Sequence, residues 1–101
     1  MAGGGTTAAC VSTDLEHWHR LAGVEVEDTP AHEAPVVFEW KSFFWLVVDP
    51  LNEQGLRVYR STDAATWTVQ PNKLLEGKGK RTDDGNGGSH PDVVHHMNTT
   101  Y

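Results

Sequence analysis

Apolar residues gather in short runs near the middle of the chain and alternate with polar residues after them. The segments APVVFEW and FFWLVVD are rich in β-branched and aromatic residues and flank the dipeptide KS, which predicts two strands joined by a tight turn. GLRVYRS alternates apolar and polar side chains and predicts a third strand, and TWTVQP, closed by Pro71, predicts a short fourth. Because no window keeps a helical apolar period, we expect very little helix.

Two stretches of the chain repeat. In the first repeat, STDLEHW at 12–18 returns as STDAATW at 61–67. In the second repeat, EAPVVFEWKSFF at 33–44 lies on HPDVVHHMNTTY at 90–101, which aligns two Val-Val pairs. A period of about 40 to 50 residues is typical of propeller blades and array repeats. Because the two repeats together cover most of the chain, they favour a structural repeat over chance.

These patterns predict an all-β fold of four-stranded antiparallel propeller blades, with one complete blade flanked by partial blades. The expected units are outer strands of a preceding blade at 1–30, a complete blade at 31–76, a Gly-rich loop at 77–90, and the first strands of the next blade at 91–101. We expect the inner strands to be buried on both faces and the outer strand to be polar. The chain is expected to be part of a five-bladed propeller or to be completed by oligomerisation.

The two S-T-D segments have a mechanical interpretation. Asp14 and Asp63 fall where the third strand of a blade turns into the fourth, and an Asp side chain there can accept hydrogen bonds from backbone N–H groups of the turn. Trp18 and Trp67 would then open the outer strands and cover the edge of the blade. We interpret these residues as structural.

Charge and composition exclude several classes of protein. The 101-residue chain carries a net charge of −6, which disfavours binding to nucleic-acid phosphates. The apolar run FFWLVV is too short to span a bilayer and no signal peptide is visible, so we expect no membrane partner and favour a cytoplasmic location. The single cysteine, Cys10, cannot form an internal disulfide. The segments HWH and HH lack zinc-ligand spacing, so no histidine-built metal site is predicted.

The segments VSTDLEHW, HEAPVVFEWKSFFWLVVD, GLRVYRSTDAATW and GGSHPDVV together resemble the five-bladed β-propeller glycosidases. Family 43 of the glycoside hydrolases and its relatives are the most similar, and family 32 is more distant; the resemblance covers about two of the five blades. It implies acid/base hydrolysis of glycosidic bonds in plant-type or microbial saccharides, in which one carboxyl group protonates the leaving oxygen and another activates water or attacks. No cofactor is expected beyond a central cation such as calcium near His90.

On this resemblance Glu33 is the general acid, at the bottom of a central funnel. His90 would line the same axis at the start of the following blade, and the second repeat pairs it with Glu33. Asp49, Asp92 and Asp83 are the remaining candidates for contacts with the saccharide. The Asp that serves as catalytic base in the family has no counterpart in this sequence, so we expect an isolated chain to be inactive.

A second interpretation keeps the architecture without the catalysis. The chain would then be a non-catalytic, self-assembling β-propeller module with a structural or carbohydrate-binding role. The expected partners are a saccharide, and either further copies of the chain or the remainder of a longer propeller. Structural roles also stay open for the site residues: Glu33 could bind loop N–H groups, His90 could cap the Gly-rich loop, and the Asp residues could form turns.

Overall fold

The computed structural model describes residues 5–28 and 31–101, which form β-strands joined by turns and loops. The strands are β1 (Gly5–Val11), β2 (His19–Asp28), β3 (His32–Trp40), β4 (Phe43–Pro50), β5 (Arg57–Ser61), β6 (Thr68–Val69), β7 (His95–His96) and β8 (Thr99–Thr100). They make three antiparallel sheets, with the orders β1-β2, β3-β4-β5-β6 and β7-β8. No helix occurs among the described residues, which confirms the predicted all-β class.

Each sheet falls inside one of the units expected from the sequence. The four-stranded sheet lies within 31–76, β1-β2 lies within 1–30, and β7-β8 lies within 91–101. Residues 1–4 and 29–30, which belong to the first expected unit, lie outside the described residues. Within the part of the chain that is described, no helix is long and apolar enough to cross a bilayer.

The central sheet follows the apolar pattern of the sequence. Lys41 and Ser42, with φ angles of 51° and 63°, form the two-residue turn between β3 and β4. Positive φ at both central positions is characteristic of the turn whose twist matches that of the flanking strands. β4 then pairs antiparallel with β5, with Leu46 opposite Tyr59, and the short edge strand β6 closes the sheet.

Strand β4 is the centre of the core. Its residues Leu46, Val47 and Val48 are at most 2 % exposed. Because successive side chains of a strand point to opposite faces, the sheet buries two separate apolar clusters. One cluster contains Leu46, Val48 and Tyr59 with Val26 from β2, and the other contains Val47, Leu56 and Val58.

The expectation that both inner strands are buried on both faces is wrong for β3. Its residues alternate between half-buried and exposed, and Val37 is 54 % exposed. The cause is position, because β3 is the edge strand of the central sheet in the described residues and pairs only with β4. The outer strand β6 is exposed at the sheet edge as expected, but it is polar only in part, because Val69 is an apolar residue with 57 % exposure.

The first repeat is a repeat of backbone structure. Val11 pairs with His19 in the first sheet just as Arg60 pairs with Thr68 in the central sheet. In each S-T-D turn, Oδ1 of the Asp accepts hydrogen bonds of 2.8–2.9 Å from the backbone N–H groups two and three positions later. The predicted capping role of Asp14 and Asp63 is therefore confirmed.

The tryptophans that follow these two turns have different surroundings. Trp67 packs against the cluster of Leu46, Val48 and Tyr59, as expected of a residue that covers the edge of a blade. Trp18 holds the equivalent position before β2 but is 57 % exposed. The covering role predicted for Trp18 is therefore not fulfilled within one chain.

The second repeat is also structural, but its register differs by one position from the alignment of the letters. Ala34 and His90 have φ angles of 47° and 49°, and the turn at Lys41–Ser42 corresponds to the turn at Met97–Asn98. Hairpin pairing agrees, because β7 and β8 pair as the ends of β3 and β4 do. The backbone equivalent of His90 is thus Ala34, and the predicted equivalence of His90 with Glu33 is wrong by one position.

The three sheets follow one another in chain order on the two faces of the central sheet. Val26 of β2 packs on one face of the central sheet, and Thr7 Oγ1 of β1 lies 2.9 Å from Nδ1 of His32 on β3. On the opposite face, a cavity of about 350 Å³ separates the central sheet from the β7-β8 hairpin. The central sheet therefore lies between the two smaller sheets.

Candidate functional site

Two carboxylates meet at the end of the central sheet that is remote from the β3-β4 turn. Glu33 near the start of β3 and Asp49 near the end of β4 are direct cross-strand partners. The register shifts between Glu33 and Val36, where Ala34 has a φ angle of 47°. This bulge changes the direction of β3 beside the pair. The Asp49 side chain is 13 % exposed and that of Glu33 is 52 % exposed.

His90 reaches this pair from the end of the Gly-rich loop. Its backbone N–H donates a hydrogen bond of 3.0 Å to Oδ2 of Asp49. Its ring atom Nε2 lies 3.0 Å from Oε1 of Glu33 and 3.8 Å from Oδ2 of Asp49. One ligand-type atom from each of the three residues lies within 4.8 Å of the other two. We call Glu33, Asp49 and His90 the trio.

The trio combines groups that can exchange a proton. Nε2 of a neutral imidazole can donate to the ionised carboxylate of Glu33, or it can accept from the protonated carboxyl group. Asp49 acts at a different point, because its carboxylate holds the backbone of His90 rather than Glu33. The arrangement therefore fixes a proton-carrying pair and supports it from a largely buried carboxylate, that of Asp49.

A central calcium ion, which the family resemblance implies near His90, does not suit these donors. Calcium takes six to eight oxygen ligands in proteins. The trio offers two carboxylates and one imidazole nitrogen, and that nitrogen is hydrogen-bonded to Glu33. We therefore derive no chemical step through calcium.

Two of the predicted site residues do not join the trio. Asp83 forms a two-point ion pair with Arg81, with nitrogen–oxygen distances of 2.9 and 2.8 Å, and both side chains are exposed. This guanidinium lowers the pKa of the Asp83 carboxyl. Asp92 accepts a hydrogen bond of 2.8 Å from the backbone N–H of Val93 and lines the apolar cavity beside β7. The contacts of both residues fit the structural interpretation.

The expected funnel around Glu33 is not built by the described residues. The side chains of Glu33 and His90 are 52 % and 66 % exposed. The expectation that both side chains meet at one place is nevertheless confirmed by their 3.0 Å contact. A substrate could therefore approach the pair directly from solvent.

A second polar depression, which was not predicted from the sequence, lies at the opposite end of the central sheet. A cavity of about 190 Å³ there is lined by Arg60 and by hydroxyl side chains that include Thr62, Thr66 and Thr68. The guanidinium of Arg60 lies 4.5 Å from the ring centroid of Phe43, which also lines the cavity. Alternation in GLRVYRS did not signal this depression, because it places Arg60 on the same face as the buried residues Leu56 and Val58.

Neither a scan against protein-family models nor a search of curated proteins finds a match for this chain. Its function is therefore inferred from the trio, the repeats and the packing of the sheets. Of these, the trio is where side chains with proton-transfer chemistry converge.

Proposed function

We propose that the chain is a segment of a β-propeller of the glycosidase type and that the trio binds a saccharide, with Glu33 as general acid. The observation that carries the proposal is the 3.0 Å contact between Nε2 of His90 and Oε1 of Glu33, supported by Asp49. A proton shared by this pair is available to a glycosidic oxygen that displaces the imidazole from Glu33.

The propeller is supported by strand count and order. The described part of the chain holds two strands, then four, then two, and the four-stranded sheet has the simple order expected of one blade. The first sheet repeats the second half of the central sheet, and the third sheet repeats its first half. This series of two, four and two strands is the one expected for half of one blade, a whole blade and half of the next.

Asp49 is a positioning residue in this proposal and not the second catalytic carboxylate. An inverting glycosidase separates its two carboxyl groups by about 6.5–9.5 Å to admit water, whereas a retaining one places them about 5–5.5 Å apart. Oxygens of Glu33 and Asp49 lie within 4.8 Å of each other, but the Asp49 side chain is only 13 % exposed and its Oδ2 accepts the backbone N–H of His90, so we assign Asp49 to holding His90. The base or nucleophile would come from elsewhere in a complete propeller. The chain alone is therefore expected to be inactive unless an external nucleophile is added.

An added nucleophile tests the role of Glu33. With sodium azide present, attack on the anomeric carbon forms the new C–N bond while the glycosidic C–O bond breaks and the leaving oxygen takes the proton of Glu33. Poor leaving groups such as methoxyphenol need that proton, whereas dinitrophenol leaves without it. We expect azide-dependent turnover of methoxyphenyl glycosides to be lost in Glu33→Gln, while turnover of dinitrophenyl glycosides persists.

The matched control is Glu39→Gln, which removes an exposed carboxylate from the same strand and should leave both reactions unchanged. Equal turnover of methoxyphenyl glycosides by the parent chain and Glu33→Gln would exclude Glu33 as the acid. Absence of any azide-dependent turnover, over a panel of pentosides and hexosides, would contradict the catalytic proposal.

A non-catalytic module is the second candidate, and the exposure of the trio favours it. Glu33 and His90 are more than half exposed, as in a shallow sugar-binding surface, and the other carboxylate of the trio, that of Asp49, accepts the backbone N–H of His90. Saccharide binding that is weakened by His90→Ala, in a chain that produces no glycosyl azide, would support this candidate over catalysis.

A further inference from the structure

The two small sheets are complementary halves of the central sheet. The β1-β2 sheet has the S-T-D turn and the register of β5-β6, and the β7-β8 hairpin has the turn and the register of β3-β4. Among the described residues, β1 and β8 each pair along one edge only. The chain thus contains the second half of one four-stranded unit and the first half of another.

We propose that a second copy of this chain supplies the missing half, with β8 of one copy pairing antiparallel with β1 of the next. The completed sheet would have the order β7-β8-β1-β2. This inference rests on the propeller architecture of the proposed function but not on saccharide binding or catalysis by the trio, which lies within one chain. A continuous four-stranded sheet also removes two open edges that would otherwise invite unspecific pairing.

The central sheet defines the register of the new contact. There, Phe44 of β4 is opposite Ser61 of β5, and Trp45 is opposite Arg60. In the two structural repeats, Phe44 corresponds to Thr100 and Ser61 corresponds to Ser12, so Thr100 is expected opposite Ser12 of the second copy. The next pair along the ladder is then Tyr101 opposite Val11 of the second copy.

The backbone directions agree with this register. Tyr101 exchanges hydrogen bonds of 2.9 and 3.1 Å with Val94, so its N–H and C=O groups point toward β7. Because backbone groups alternate in direction along a strand, those of Thr100 point to the free edge of β8. In the central sheet the C=O group of Val58 accepts from Gln70, so that of Ser61 points toward β4, and its equivalent Ser12 faces the free edge of β1.

An apolar cavity and an exposed tryptophan support the contact. The cavity of about 350 Å³ beside β7-β8 is lined mainly by apolar side chains, including those of Leu56, Leu74 and Val93. On the opposite face of the central sheet, Trp67 packs against the core cluster and lines a smaller cavity of about 210 Å³ beside the β1-β2 sheet. Trp18 is the repeat equivalent of Trp67 and is exposed. A second copy bound at β8 would carry its Trp18 to this apolar face.

This contact joins different surfaces of each copy, so repeated association closes into a ring or grows as a filament. The described residues of each copy contribute eight strands, which equal two four-stranded units. Because propellers have roughly four to eight blades, a closed ring would contain about two to four copies.

Light scattering of the purified 101-residue chain tests the proposal. We expect a molar mass of two to four times the 11.1 kDa chain mass, and the single-chain mass for Thr100→Pro, which lacks the N–H donor at the free edge. Thr100→Ser keeps the donor and should associate like the parent chain. A parent chain that is monomeric at tens of micromolar would overturn the proposal and would favour strands from a longer polypeptide as the occupant of the edge.

Cross-linking provides a second test that does not require the proline variant to fold. In a Cys10→Ser background, Val11→Cys and Tyr101→Cys together should form disulfides between copies, since directly opposed residues lie within disulfide range. The control combines Tyr101→Cys with His17→Cys, which is exposed in the S-T-D turn and lies away from the new ladder. Equal cross-linking of both pairs would refute the predicted register.

Discussion

Nε2 of His90 lies 3.0 Å from Oε1 of Glu33, although the two residues are far apart in the chain. Glu33 belongs to the edge strand of the central sheet, whereas His90 ends the Gly-rich loop. Asp49 joins the two segments by accepting the backbone N–H of His90. The contact therefore links the start of the central sheet to the segment that leads into the next hairpin.

The Glu33–His90 pair is predicted to contribute little to stability. Both side chains are more than half exposed, and exposed ion pairs contribute roughly 0–1 kcal/mol. A double-mutant cycle with Glu33→Gln and His90→Gln, measured by urea unfolding, should give a coupling free energy below about 1 kcal/mol. A coupling above about 2 kcal/mol would identify the pair as a structural element and remove the main reason to assign it a function.

Removal of Asp49 is predicted to be more destabilising than removal of Glu33. Asp49→Ala removes the acceptor of the solvent-exposed backbone N–H of His90, and the lost hydrogen bond costs about 0.5–1.5 kcal/mol in the free energy of unfolding. Asp49→Asn retains an acceptor oxygen and serves as the matched control. Urea unfolding should rank the variants as Asp49→Ala, then Asp49→Asn, then the parent chain, in order of increasing stability. Equal stability of Asp49→Ala and Glu33→Gln would contradict the positioning role.

The Asp63 turn is predicted to make stability depend on acid pH. The backbone N–H groups of Thr66 and Ala65, with the hydroxyl of Ser61, lower the pKa of Asp63 from 3.8 to about 2. Because the pKa is lower in the folded state, the stabilisation is complete above pH 3.8 and is lost as the pH falls through about 2.

Thermal unfolding of the parent chain and Asp63→Asn between pH 6 and pH 2 measures this effect. The difference in stability should be constant at the upper end and shrink below about pH 4. Asp14 lies in the equivalent turn, where the backbone N–H and ring of His17 lower the pKa of Asp14 well below its usual range. Asp14→Asn should therefore lose its stability difference at a lower pH than Asp63→Asn. The opposite order would contradict the role assigned to His17 in the first turn.

The centre of β4 is predicted to dominate the stability of the chain. Leu46 is 1 % exposed and packs with Val48 and Tyr59, so Leu46→Ala should cost about 2–5 kcal/mol. Val69→Ala on the exposed edge strand β6 is the control and should change stability by less than about 1 kcal/mol. Comparable losses from both variants, measured by urea unfolding, would contradict the location of the core.

Much of the central sheet could be predicted from the sequence because local patterns determine it. The apolar runs on either side of Lys41–Ser42 indicated a hairpin, and the alternation around Val58 indicated the next strand. Burial of β3 could not be predicted in this way. Its apolar residues are typical of an inner strand, but the exposed fraction of each side chain depends on which other strands pack against β3. In a single chain, Val37 stays exposed.

The trio shows the same division between local and long-range information. The residue types of Glu33, Asp49 and His90 were recognisable, but their convergence depends on the bulge after Glu33 and on the path of the Gly-rich loop. The letter alignment of the second repeat paired Glu33 with His90, and these residues do make contact. The alignment treated their positions as equivalent, however, and they are not. Backbone angles assign His90 to the position of Ala34, a difference of one position that similarity between letters does not detect.

The central claim is that Glu33 and His90 form one saccharide-binding site, and imidazole nitrogen NMR tests it most directly. The chain has six histidines, so the Nε2 resonance of His90 would be assigned by comparison with His90→Gln. We predict that Glu33→Gln shifts this resonance and that titration with saccharides shifts it saturably in the parent chain but weakly in Glu33→Gln. A His90 resonance that responds neither to Glu33→Gln nor to any saccharide in a panel of pentoses and hexoses would contradict the claim.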